Sequence, residues 1–166
     1  MGLQSSPSVR PLVLSSDSPA ATRRIGARLG RRLRRGDVLL LQGELGTGKT
    51  CLTQGIGRGL AVTDAVKSSS FVLVNEYRGR LKLYHADLFR LEDPQEVADL
   101  ALEENAADGV LVVEWPERAW GELPPEHLLV RIEWPGPRAS ERRLTLEPHG
   151  PRYEELVRDL ARRSHR

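Results

Sequence analysis

The stretch from Gly43 to Thr50 carries the clearest chemistry in the chain. Its sequence, Gly-Glu-Leu-Gly-Thr-Gly-Lys-Thr, fits the phosphate-binding pattern G-x-x-x-x-G-K-[ST]. Glycines let a backbone wrap closely around a di- or triphosphate, and the free N–H groups at the start of a helix attract the anion. In such a loop Lys49 reaches the terminal phosphates and the Thr50 hydroxyl ligates Mg²⁺. The stretch predicts a nucleotide site; the alternative is a glycine-rich turn before an ordinary helix.

The residues on either side of this loop have the pattern that a phosphate loop requires. Val38 to Leu41 form a short apolar run, which is typical of a strand buried on both faces. After the loop, apolar residues recur at helical spacing: Cys51, Leu52, Ile56 and Leu60. Because strand, glycine loop and helix follow in this order, we predict that the nucleotide contacts are Glu44, Leu45, Gly46, Thr47, Gly48, Lys49, Thr50 and Cys51.

Acidic residues at the ends of two later strands can complete a magnesium site. An apolar strand from Val110 to Val113 is followed directly by Glu114, which would hold Mg²⁺ or polarise an attacking water. Asp87 ends another predicted strand and is a second candidate for positioning the metal or the water. The alternatives are a surface glutamate and an aspartate that caps a turn. His85 shares a strand face with Asp87, and we expect it to be a packed histidine with its hydrogen bonds satisfied.

The order of the predicted elements is typical of an α/β fold. We predict an edge strand at 11–14, helices at 19–33, 94–105 and 151–163, a β-hairpin from 71–77 and 81–87, and further strands at 109–114, 128–134 and 143–146. The hairpin makes the sheet mixed. The predicted fold is therefore one P-loop NTPase-type domain over residues 11–166, with a central mixed sheet flanked by helices, after a disordered tail at 1–10.

The composition narrows the class of protein. The 166 residues are 39% hydrophobic and 29% charged, as expected for a globular chain with one core. No apolar run approaches the roughly 18 residues of a membrane span, and the start does not have the pattern of a secretory signal. The single cysteine, Cys51, fits a reducing compartment, so we expect a cytoplasmic protein. Arginines crowd the first predicted helix, where either a solvated face or contact with RNA would explain them.

Four segments, taken in order, resemble the bacterial TsaE family. They are Gly-Asp-Val-Leu-Leu-Leu-x-Gly-Glu-Leu-Gly-Thr-Gly-Lys-Thr (36–50), Ser-Ser-Ser-Phe-Val-Leu-Val-Asn-Glu-Tyr (68–77), Leu-Tyr-His-Ala-Asp-Leu-Phe-Arg-Leu (83–91) and Val-Glu-Trp-Pro-Glu (113–117). The resemblance covers residues 12–146. It implies a P-loop ATPase that takes ATP with Mg²⁺, hydrolyses it slowly alone, and acts on a heterodimer of TsaB and TsaD. That family is needed to make threonylcarbamoyladenosine in tRNA, which it would contact only through the complex.

The resemblance also assigns roles to individual residues. Thr50 and Glu114 match the family's magnesium ligands, and Asp87 matches its acidic switch residue. Trp115 matches the neighbouring aromatic residue, and Thr22 matches a position near the base of the nucleotide.

Three further features of the resemblance concern the edges of the site. An arginine in the stretch 138–143 would approach the nucleotide; the resemblance does not decide which, and Arg138 is the one we name. Ser70 keeps the hydroxyl that could sense the γ-phosphate, although it could equally cap a strand. Ser69 and Ala86 depart from the family pattern, which has a proline and an aromatic residue there.

Two other functions remain open at this point. A small-molecule P-loop kinase has the same loop and would need an acceptor pocket. A nucleotide-dependent module could instead grip tRNA with the arginines of the first helix and of the tail, namely Arg158, Arg162, Arg163 and Arg166.

Overall fold

The computed structural model describes residues 9–67 and 74–163. Its strands are β1 (Leu12–Ser16), β2 (Val38–Gln42), β3 (Val74–Tyr77), β4 (Lys82–Asp87), β5 (Gly109–Glu114), β6 (His127–Glu133) and β7 (Arg142–His149). Its helices are α1 (Pro19–Gly30), α2 (Lys49–Gly59), α3 (Gln95–Leu100), α4 (Leu102–Asn105) and α5 (Pro151–Arg163). The predicted tail falls mainly on residues outside these ranges, as do Ser68 to Ser70 and the first half of the predicted hairpin strand.

The described residues form a seven-stranded sheet in the order β1-β7-β6-β2-β5-β4-β3. Strands β6, β2, β5 and β4 run parallel. β7 is antiparallel to both β6 and β1, and β3 is antiparallel to β4, as the predicted hairpin requires. The predicted fold class, a single α/β domain with a mixed sheet flanked by helices, is confirmed.

The core lies on both faces of this sheet. On one face, α1, α2 and α5 pack against side chains that include Leu39, Leu41 and Val112. On the other face, α3, α4 and nearby turns cover Leu40 and Val113. The central strands β2 and β5 are therefore buried on both sides, which explains their continuous apolar sequences. Their carboxyl ends meet at one edge, where ligands bind in open α/β sheets.

Helices α1 and α2 approach so closely that only glycine fits at their contact. A Cβ atom at Gly26 or Gly30 of α1 would overlap backbone atoms of α2. Likewise, a Cβ atom at Gly55 or Gly59 of α2 would overlap backbone atoms of α1. The glycines thus let the helix that follows the phosphate loop rest directly on the backbone of its neighbour.

The predicted continuous helix over 94–105 is wrong. Ala101 adopts φ 46° and separates α3 from α4. The break lets both Val97 and Leu102 face the same core. On one continuous helix, residues five positions apart would point in different directions. The first helix also ends early, at Gly30, although Leu33 is still buried as predicted.

Candidate functional site

The phosphate loop leaves β2 and enters α2 through two glycines in the left-handed region. Gly46 has φ 82° and Gly48 has φ 111°, a conformation that side chains rarely adopt. A Cβ atom at Gly43 would overlap the Thr47 hydroxyl and the backbone carbonyl of Ile132. Gly48 is the N-cap of α2 and supplies no side-chain cap, so the first N–H groups of the helix are left for an anion.

The Lys49 side chain folds back onto the loop in which a phosphate would bind. Its Nζ donates to the carbonyl oxygens of Gly43 at 2.5 Å and Glu44 at 2.9 Å. The ammonium lies 4.3 Å from the centroid of the Trp115 ring. Burial lowers the pKa of Lys49 from its usual value, and nearby carboxylates oppose the shift. The lysine is thus held inside the loop as a buried cation.

The other loop residues divide into structural and open positions. The Thr47 hydroxyl is buried and donates to the Glu44 carbonyl at 2.8 Å, which braces the loop. Glu44, Leu45 and Gly46 are exposed at its tip. Thr50 and Cys51 are half-buried in the first turn of α2.

Two carboxylates meet at the neighbouring strand ends. Parallel pairing of β4 and β5 sets Asp87 opposite Glu114, and β2 brings Leu41 opposite Glu114 on its other side. Glu114 is 2% exposed and is therefore no surface residue. Asp87 accepts a hydrogen bond from the Phe89 N–H at 3.0 Å, so it also caps the turn after β4. Burial raises the pKa of Asp87, an effect that the bond from Phe89 opposes.

His85 lies next to these acids. Its Nε2 is 2.6 Å from Oε2 of Glu114, and both side chains are buried. Its Nδ1 is buried too, and it has no partner among the described residues. The histidine is packed as expected, but its hydrogen bonds are satisfied only on one side.

Trp115 closes the site from the strand end. It adopts φ 59°, and its ring contacts Phe89 with centroids 4.9 Å apart. Beside it, a cavity of about 720 Å³ adjoins the phosphate loop. Trp115 and Trp134 line this cavity together with the polar groups of Glu117 and Arg131.

Two residues suggested by the resemblance lie at different distances from the loop. Thr22 is buried on α1, with its hydroxyl 2.7 Å from that of Ser16 and its methyl facing Gly48. Arg138 is exposed and pairs with Glu141 at 3.3 Å.

The arginine that touches the loop is Arg142. Its Nε donates to the Thr47 carbonyl at 2.8 Å, and its guanidinium lies 5.0 Å from the centroid of the Trp134 ring. Arg142 is the first residue of β7, one position before the strand predicted from the sequence. The sequence therefore did not separate it from Arg138 or Arg143.

The donor set suits a magnesium ion held jointly with a nucleotide. Within residues 9–67 and 74–163, no three His, Cys, Asp or Glu side chains gather to hold a metal by themselves. Mg²⁺ is usually bound by one or two protein oxygens together with phosphates. Thr50 lies in the first turn of α2, and Glu114 ends the strand beside β2, so both stand at the same edge of the sheet. The residues therefore fit this ion.

Comparison with known proteins gives a consistent result. A relative in Nostoc sp., a tRNA threonylcarbamoyladenosine biosynthesis protein TsaE, is 48% identical over 59% of this chain and 64% of that protein. The protein of that name in Bacillus subtilis is 40% identical over 87% of this chain and 90% of its own length. A crystal structure of Bacillus subtilis YdiB superposes with a TM-score of 0.80 at 34% identity, covering 96% of this chain and 99% of that one.

Two further findings complete the comparison. Within the described residues, no helix has both the length and the apolar character to traverse a lipid bilayer. The profile of the family described as threonylcarbamoyl adenosine biosynthesis protein TsaE matches residues 16–144. The chain therefore belongs to the TsaE family of tRNA threonylcarbamoyladenosine biosynthesis.

Proposed function

We propose that the chain is the Mg²⁺-dependent ATPase subunit of tRNA threonylcarbamoyladenosine biosynthesis, working in the cytoplasm on a TsaB–TsaD-type heterodimer. The observation that carries the proposal is the meeting of a phosphate loop with the buried Glu114 at one edge of the sheet. A simple anion-binding turn would not need a buried carboxylate beside it, because burial of a charge costs free energy.

Each part of the site has a task in the hydrolysis of ATP. The N–H groups of the loop and the Lys49 ammonium would bind the phosphates, while Thr50 and Glu114 would hold the ion. Bound Mg²⁺ would neutralise charge on the β- and γ-phosphates. Asp87, on the strand beyond Glu114, would accept a hydrogen bond from the attacking water and orient it. The water oxygen would then bond to the γ-phosphorus while the bond from that phosphorus to the bridging oxygen breaks. ADP would leave with the bridging oxygen, and the proton lost by the water would pass to solvent.

Two features support slow turnover alone and faster turnover with a partner. Lys49 is engaged by two loop carbonyls, so a phosphate must displace at least part of that arrangement. Leu45, Phe89 and Trp134 expose 73%, 40% and 37% of their surfaces around the site. Apolar groups exposed together commonly mark a protein interface, which is where the heterodimer would bind.

The tRNA-gripping alternative has weaker support. Arg32 pairs with Asp159 at 2.8 Å, Arg34 pairs with Glu155 at 3.1 Å, and Arg152 pairs with Asp37 at 2.8 Å. These pairs join the connection between α1 and β2 to α5 within the fold, so fewer of the arginines are available for phosphates of RNA. The kinase alternative keeps one observation in its favour, the cavity lined by Trp115 and Trp134, which has room for an acceptor.

The decisive experiment measures ATP turnover by the purified chain with and without a TsaB–TsaD heterodimer. We expect turnover to rise with the heterodimer and to vanish in Lys49→Ala. Labelled γ-phosphate should appear as inorganic phosphate. If the heterodimer does not change the rate of turnover, the partner assignment is wrong. If the label is transferred to an added metabolite, the kinase alternative is favoured.

A further inference from the structure

The side chains behind the two carboxylates lie in paired rows on the α2 face of the sheet. The outermost pair is Asp87 and Glu114, and the pair behind it is His85 and Val112. The next pair inward is wholly apolar and belongs to the main core. His85 is therefore the polar member of the layer that directly supports the acidic edge.

The contact between His85 and Glu114 is short and shielded from water. The two side chains expose 1% and 3% of their surfaces, and Nε2 lies 2.6 Å from Oε2. A carboxylate only accepts hydrogen bonds, so we assign the imidazole proton to Nε2, which then donates to Oε2 of Glu114. Such charge-assisted bonds are short and directional, and they fix the carboxylate that accepts them.

The other nitrogen of the His85 imidazole lacks a hydrogen-bond partner among the described residues. His85 Nδ1 is buried with no partner within the described part of the chain, which costs free energy. The other buried histidine, His127, has its Nδ1 2.8 Å from the Pro124 carbonyl. A leucine at position 85 would remove this unpaired nitrogen, but it would leave the buried Oε2 of Glu114 without its hydrogen-bond partner. The packing alone therefore does not explain a histidine there, whereas its bond to Glu114 does.

We propose that His85 is a positioning residue that holds Oε2 of Glu114 and thereby leaves Oε1 for the metal. The proposal rests on the proposed function, because it takes Glu114 as the magnesium ligand. Loss of the hydrogen bond frees the carboxylate to rotate and weakens magnesium binding. Nucleotide binding without metal, which depends on the loop and Lys49, is unaffected.

The first test compares His85→Leu with His85→Gln and with the matched control His127→Leu. Removing an outer-shell partner typically weakens metal binding by about 10- to 100-fold. We expect His85→Leu to raise by that factor the Mg²⁺ concentration for half-maximal ATP turnover, with ADP affinity in EDTA unchanged. His85→Gln places an amide N–H near the former Nε2 and should restore much of the Mg²⁺ response. His127→Leu should change only the melting temperature.

Two outcomes of this test would overturn the proposal. One is an unchanged Mg²⁺ requirement in His85→Leu. The other is an equal loss of ADP affinity in EDTA, which would mean that the histidine merely supports the fold.

A second test uses the chain without nucleotide or metal. In ¹⁵N NMR of the four histidines, the His85 ring should be protonated at Nε2 with a strongly downfield proton, and Glu114→Ala should remove that signature. A ring protonated at Nδ1, or one indifferent to Glu114→Ala, would overturn the pairing. This result is independent of ATP hydrolysis, so it separates failure of the pairing from failure of the proposed function. A wild-type chain without turnover would remove both the function and the role of His85 in it.

Discussion

The phosphate loop and the acidic edge of the site are held together in different ways. Contacts within the loop join near neighbours: Lys49 bonds to Gly43 six positions away, and Thr47 bonds to Glu44 three positions away. The acidic edge instead joins His85 of β4 to Glu114 of β5, which are 29 positions apart. The loop can therefore take its shape from local sequence, whereas the acidic edge exists only once the sheet has paired.

This difference separates two tasks that substitutions can address independently. In the function proposed above, the local half would bind phosphate through backbone N–H groups and one cation. The non-local half supplies the carboxylates, whose burial makes their orientation and charge sensitive to the surrounding packing. Damage to the loop should remove binding, while damage to the edge should spare binding and remove turnover.

The largest effect is expected from Lys49→Ala. Loss of the Lys49 ammonium should weaken ATP binding by about 100-fold or more, because the ATP phosphates would lose their buried counter-charge. Isothermal titration calorimetry with ATP would measure this. Lys82→Ala is the matched control, since Lys82 is half-buried on β4 and pairs with Glu76 and Asp108 away from the loop. If both variants bound ATP normally, the loop would not be the phosphate site.

Glu114→Gln should break the other half alone. We expect Mg²⁺-dependent turnover to fall by about 100-fold. Glutamine has nearly the same shape as glutamate but lacks the negative charge that would bind the metal. ADP affinity measured in EDTA should stay within about twofold. Glu104→Gln, on the exposed side of α4, is the control. Equal losses of binding and turnover in Glu114→Gln would count against the separation of the two halves.

Asp87→Asn should show whether Asp87 acts in ATP hydrolysis or only caps the turn after β4. Because burial raises the Asp87 pKa, the folded chain binds more protons than the unfolded chain between the ordinary and the raised pKa, and stability falls as pH rises through that window. Asparagine removes the buried charge yet keeps an acceptor for the Phe89 N–H. We expect an unchanged or higher melting temperature at neutral pH, a flatter pH dependence of stability, and turnover lowered about tenfold.

Thermal melts across about pH 4 to 8, with turnover assays on the same samples, would measure both effects. Asp87→Ala also loses the acceptor and should melt at a lower temperature. Normal turnover in Asp87→Asn would leave Asp87 as a turn cap only.

The smallest effect is expected from Arg142→Ala. The guanidinium bonds to the Thr47 carbonyl, so its loss should loosen the loop and raise the KM for ATP about two- to tenfold, the worth of one hydrogen bond. Arg138→Ala provides a neighbouring exposed control that should leave the KM unchanged. The reverse pattern would show that Arg138 is the arginine that meets the nucleotide.

The same distinction explains what could be predicted from the sequence. The loop was predictable because its glycines, Lys49 and Thr50 form a contiguous pattern with a known structural context. Glu114 and Asp87 were predictable as strand ends, since a carboxylate after an apolar run marks such a position. The bond from His85 was not predictable, because it depends on the register between two strands. Arg142 was not predictable, because the predicted strand began at position 143, whereas β7 begins one residue earlier, at Arg142.

For the fold, too, local sequence patterns were predictable and features set by tertiary packing were not. Strands with continuous apolar sequence and the amphipathic α5 were predicted at nearly their observed positions. The break at Ala101 was missed because no glycine or proline signals it, and because it arises from the need to bury both Val97 and Leu102. Tertiary packing outweighed local helix propensity there.

The glycine contact between α1 and α2 limits how this protein can respond to its ligand and how it can vary. Since backbone rests on backbone, any shift of α2 on the phosphate binding proposed above would have to carry α1 with it. In a library of single substitutions, positions 26, 30, 55 and 59 should be as intolerant as the phosphate loop, although no ligand touches them. Their intolerance would record the closeness of two helices and not a share in the chemistry.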